Sequence, residues 1–194
     1  VVAVTVDQNG IITGCIIDSL GTSVTFDENG IITSDLTAPV LTKNELGENY
    51  GMVAYGNAIA EWDAQAAALA SFAVGKTVEE LRNGAIDENT GKAPEGSDLA
   101  SSATIYLGGF VSAIEAAAAN AQHLGAQSGH ELKLAVIASV GSSKSADAEN
   151  IPCPGACSLQ ILRNTILIFY SLPRGPLAWM NYILWHLKSC VLAF

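Results

Sequence analysis

The sequence predicts an α+β fold over residues 1–143: an antiparallel sheet of two hairpins with helices packed on one face. Three observations carry this expectation. A seven-residue repeat flanked by β-branched residues opens the chain. A run with helical apolar spacing is centred on Trp62. An alanine-rich run extends from Phe110 to Ala121. Strands first and helices after, each with an apolar face to bury, is an order that suits sheet-plus-helix domains.

The repeat is Asp7-Gln8-Asn9-Gly10-Ile11-Ile12-Thr13, which recurs as Asp27-Glu28-Asn29-Gly30-Ile31-Ile32-Thr33. Asn-Gly between β-branched runs is a strong hairpin signal, because a type I′ turn needs φ > 0 at both central residues. Strands are therefore expected near Val2–Val6, Ile11–Asp18, Thr22–Phe26 and Ile31–Ser34, as a four-stranded meander. The Asp and Asn residues of these loops suit turn chemistry. The loops are too short for calcium and lack the later bidentate Glu of a calcium loop.

Residues 37–56 read as a long connector punctuated by Pro39, Gly47, Gly51 and Gly56. Its Tyr50, Met52 and Tyr55 either cover a planar ligand or staple the loop to the core. A helix is expected from Ala58 to Ala73, with Ile59, Trp62, Ala66, Leu69 and Phe72 on one stripe and Glu61, Asp63 and Gln65 off it. Gly75 is its expected C-terminal stop. Thr77 and Glu80 form a capping box for a short helix that stops at Gly84. After an acidic Gly- and Pro-containing loop, a further helix is expected over 109–123, with Gly125 as its stop. Residues 132–140 then read as a strand.

Charge divides the chain. Residues 1–150 hold six Lys and Arg against 19 Asp and Glu, a net −13, while the last 44 residues carry Arg163, Arg174 and Lys188 and no acid. An acidic body argues against a nucleic-acid partner, since phosphate contacts need cations. Cys15 stands alone in the body, so no disulfide framework is expected there. Cys153 and Cys157 lack a second ligand pair for zinc, and His123, His130 and His186 share no ligand spacing. No Gly-x-Ser-x-Gly, Walker or dinucleotide fingerprint occurs. The side chains offer no reaction of their own, so any redox role falls to a cofactor. The start at Val1, without Met or a signal pattern, reads as a fragment.

The functional expectation rests on Asp98-Leu99-Ala100-Ser101-Ser102-Ala103-Thr104. Small hydroxyl residues ahead of a helix can leave backbone N–H groups open to an anion. An ordinary polar turn uses the same residues. The segment resembles the D-x-x-S-G-A-T motif of the FMN-binding domain family. In covalent members a flavin transferase esterifies the last Thr or Ser to the FMN phosphate. The resemblance implies Thr104 as acceptor, with Ala103 beside it and Asp98 opening the motif. It implies Ser101 and Ser102 as phosphate donors, together with the N-terminus of the following helix. Ser102 departs from the family's Gly, which reaches φ > 0 and close backbone approach without a side chain.

The hairpin repeat also resembles that family. The Trp62 helix and the Gly75-Lys76-Thr77 cap are similar to segments of related uncharacterised surface proteins of anaerobic gut bacteria, in which such units occur in tandem. His130–Ser143 would then look like the first strand of a following unit. The resemblance implies an exported or cell-surface, lipid-anchored electron carrier holding FMN, served by a flavin transferase and a redox partner. A carrier or binding module is expected rather than an enzyme. The competing expectation is a non-catalytic surface or stalk module that binds a cell-wall or host ligand. Residues 144–194 form an apolar, basic tail, with runs over 158–172 and 177–194. It reads either as a hairpin-like membrane anchor or as sequence introduced by a frame change after Asn150.

Overall fold

A computed structural model describes residues 1–27, 29–121, 130–141 and 143, together with two strands of the tail, Thr165–Ser171 and Ile183–Trp185. The fold is α+β, with helices packed on an antiparallel sheet. Strands β1 (Val2–Val6) and β2 (Ile12–Ile17) form the first hairpin. Val1 and Asp18 exchange backbone hydrogen bonds of 2.9 Å at its open end. Alternation from that pair places Val2, Val4, Val6, Ile12, Cys15 and Ile17 on one face, and all six join the core.

The turn differs from the expected type I′. Gly10 alone takes the left-handed conformation, at φ 78°, and Asn9 does not. Asp7 N–H donates to Ile11 O (2.9 Å) and Gly10 N–H to Asp7 O (3.1 Å). These bonds and a bulge between Thr5 and Val6 define a three-residue loop in which Gly10 supplies the left-handed residue. Asp7 decides the outcome, because its carboxylate accepts from Asn9 N–H (2.8 Å) and Ile11 N–H (2.9 Å). The Ile11 amide is the main reason its pKa lies below the ordinary value.

The second copy closes the same turn. Asp27 accepts from the amides of Asn29 (2.9 Å) and Ile31 (2.8 Å). It does not propagate into strands. One bridge forms, Phe26 to Ile32, and Thr25 N–H turns to the Ser34 hydroxyl (2.7 Å). Asp35 then folds onto Thr37, taking its amide (2.8 Å) and hydroxyl (2.6 Å), which bends the chain away before a ladder can extend. Among the described residues, the sheet under the helices is thus the first hairpin alone.

The connector is largely helical. It holds α1 (Lys43–Leu46), a 3-10 turn (Gly47–Tyr50) and α2 (Met52–Gly56). Thr42 and Glu45 form a capping box for α1, and the Glu61 carboxylate caps α2 at Met52 N–H (2.8 Å) and Val53 N–H (2.9 Å). Asn57, left-handed at φ 50°, ends α2, so α3 runs from Trp62 to Ala73 rather than from Ala58. Gly75 stops the chain beyond α3 as expected. Its N–H donates to Ile12 O (2.8 Å), and Ile12 N–H donates to Lys76 O (2.9 Å). Helix α4 (Val78–Ala85) has the expected Thr77–Glu80 box.

Helices α3 and α5 (Gly108–Ala119) cover the core face of the hairpin. There Trp62, only 3% exposed, meets Phe110 edge-to-face at 5.7 Å. The opposite face receives β3 (Glu131–Ile137), whose Leu132 lies against Gly14. Strand β3 pairs antiparallel with β4 (Thr165–Ser171), which pairs with β5 (Ile183–Trp185). Helix α5 ends at Ala119, with Asn120 as its cap, rather than at the expected His123; the Gly125 stop and most of the tail lie outside the described residues.

Candidate functional site

The 98–104 segment folds as a local turn, not as the lip of a helix. Ala103 N–H and Ser102 N–H both donate to Leu99 O, at 2.8 and 3.0 Å. Ser101 Oγ donates to Asp98 O (2.6 Å) and lies 3.5 Å from Ser102 Oγ. Leu99 and Ala103 are buried and anchor the turn, while Asp98, Ser101, Ser102 and Thr104 are exposed. Ser102 does not take a positive φ, so this turn makes no use of the freedom that Gly provides at that place.

Thr104 is held from beneath by Gln65, a fully buried side chain on α3. Gln65 Oε1 accepts from Thr104 N–H (2.8 Å), Ile105 N–H (3.2 Å) and Thr104 Oγ1 (3.3 Å), and Gln65 Nε2 donates to Ala60 O (2.7 Å). The expectation that Gln65 lies off the buried stripe is therefore corrected. It follows Trp62 by three residues and precedes Leu69 by four, which is core spacing. The positional signal was present, and the polar side chain masked it.

Most amides at the N-terminus of α5 are already engaged. Leu107 N–H and Gly108 N–H both donate to Gly91 O (2.8 and 3.2 Å), and Phe110 and Val111 N–H return to Leu107 O (both 3.0 Å). Amides committed in this way are not open to a phosphate. The aromatic candidates are dispersed. Tyr106, 63% exposed, leans over Gly91, and Tyr55, 93% exposed, lies over Gly51. Tyr50 sits under the Lys43 ammonium at 4.7 Å, and Met52 packs against the core.

A covalently attached FMN asks for one reachable hydroxyl on a fixed backbone, and Thr104 fits. A cradle for a free FMN phosphate asks for several open amides or cations, and the start of α5, with the Leu107, Gly108, Phe110 and Val111 amides engaged, does not supply them. Among the described residues, no group of three or more His, Cys, Asp or Glu is placed to hold a metal, and no helix is long and apolar enough to cross a membrane. No protein-family model, curated protein or solved structure matches the chain.

Proposed function

We propose that this domain is an extracytoplasmic flavin carrier in which Thr104 is the attachment point for FMN. One observation supports it most: Thr104 is an exposed residue while its backbone is pinned by the buried Gln65 amide. Thr104 Oγ1 donates its proton toward Gln65, which leaves its lone pairs available for attack. A carboxamide is too weak a base to accept that proton, so the base belongs to the transferase. The Oγ–P bond would form as a phosphoanhydride bond of the flavin donor breaks, with the other phosphate fragment leaving. Bound FMN would supply reversible electron transfer, and the chain would supply orientation. With the Leu107, Gly108, Phe110 and Val111 amides engaged, the ester link rather than a phosphate cradle retains the cofactor.

The second reading, a non-catalytic surface module, draws support from those same engaged amides and from hairpin turns closed by their own Asp side chains. Co-expression with a flavin transferase and intact-mass measurement separates the two. A gain of one esterified FMN, absent in Thr104→Val, is the expected result. No gain, with no flavin binding by fluorescence titration, leaves the surface module.

A further inference from the structure

The outer edge of β2 is covered at both ends and open between them. Because Val1 and Asp18 are a hydrogen-bonded pair, alternation turns the backbone groups of Cys15 and Ile17 away from β1. At one end of this edge Ile12 is paired with Gly75 and Lys76. At the other, Ile17 O accepts from Asn44 Nδ2 (2.9 Å). Cys15 N–H, Cys15 C=O and Ile17 N–H have no hydrogen-bond partner among the described residues.

A cleft of about 430 Å³ lies against this gap, with α3 as its far wall. Exposed Ala67 and Ser71 on that wall are small, which leaves room for side chains of an added strand. The cleft's ionisable lining includes the Asp63 carboxylate and no Lys or Arg. The cations on either side are committed elsewhere. Lys43 lies over the Tyr50 and Trp62 rings, at 4.7 and 5.1 Å, and Lys76 donates to Phe72 O (2.7 Å).

We propose that this gap is a β-augmentation site for an extended, basic polypeptide segment, inserted between β2 and α3. The alternating donor and acceptor at Cys15 call for another backbone, since an added strand gains its affinity from main-chain bonds. The acidic cleft, in a body of net −13, calls for a cationic one. The small residues of α3 set a limit on the side chain that faces them.

The test titrates the full chain with a fluorescein-labelled hexapeptide of alternating lysine and valine, reading anisotropy and amide hydrogen exchange. Saturable binding is expected, with exchange at Cys15 and Ile17 slowed at least tenfold. Ala67→Trp fills the cleft from an exposed helical position and should weaken binding at least tenfold; Ser71→Arg is a second, independent block if Ala67→Trp shifts the unfolding midpoint. The same peptide with alternate amides N-methylated keeps its charge and should lose binding. Equal binding by the methylated peptide, or by both blocked variants, would show general attraction to an acidic surface and overturn the proposal. Absence of binding, or unchanged exchange at Cys15 and Ile17, overturns it as well.

Discussion

Gln65 and Trp62 lie three residues apart on α3 and do opposite kinds of work. Gln65 is fully buried and makes four hydrogen bonds through its amide, so its polarity is satisfied rather than tolerated. Replacing it with Leu would keep most of the volume and strand the Thr104 and Ile105 amides. Each stranded buried donor costs about 1–3 kcal/mol, less where water can reach it. Gln65→Leu should therefore lower urea stability by roughly 2 kcal/mol, weighing the exposure of Thr104 against that range. Faster amide exchange at Thr104 and Ile105 should accompany it. A variant with wild-type exchange at those two amides would show that the turn holds itself. Trp62 fills the space between α3, α5 and the hairpin. Trp62→Ala should cost about 3–5 kcal/mol by the large-to-small rule. A shift below about 1 kcal/mol in denaturant unfolding would place the ring outside the core.

At the scale of elements, short helices here exist because their ends are closed. The boxes at Thr42–Glu45 and Thr77–Glu80 use the same T-x-x-E spacing. Only the second is read as a helix start in the sequence, since it precedes a recognisable apolar pattern. Thr77→Ala should cost about 1 kcal/mol, the usual worth of an N-cap. The Glu80 carboxyl is held below its ordinary pKa, chiefly by the Thr77 amide and then by its hydroxyl. A depressed carboxyl contributes stability above its unfolded value and loses it as pH falls through the folded one. The advantage of wild type over Glu80→Gln should thus be present at neutral pH and fade below the ordinary value of 4.5. Thermal unfolding of both proteins across that range measures it. An advantage that grows toward acid would contradict the assignment.

Over the whole molecule, the core closes within the first helices. The buried cluster runs from Ile12 to Ile114, with Val2, Val4, Val6 and Phe110 packed on it. The second sheet meets the other face of the hairpin through small contacts such as Gly14 with Leu132. A chain ending at residue 121 should therefore unfold cooperatively, followed by circular dichroism in urea. A broad, non-cooperative curve would mean that the strands beyond residue 130 complete the core. The join of β3 to β4 and β5 ties the body to the tail through backbone pairing, in register from Glu131–Ser171 to Ile137–Thr165.

Local chemistry in the sequence determined the first hairpin, the Gly75 stop, the Thr77–Glu80 cap and the core position of Trp62. Each depends on residues close in the chain: a left-handed Gly, a hydroxyl three residues from a carboxylate, an apolar period of three to four. Tertiary structure decided the rest. The second D-x-N-G-I copy closes the same turn as the first yet builds no strands, because strand growth needs a partner and Asp35 turns the chain toward Thr37 instead. The Leu107 and Gly108 amides at the start of α5 are closed because Gly91, distant in sequence, brings its carbonyl to them. Thr104 is presented at the surface because Gln65, 39 residues earlier, accepts its amide. Hydrogen bonds between distant residues leave no periodic trace, so these contacts are visible only once the chain has folded.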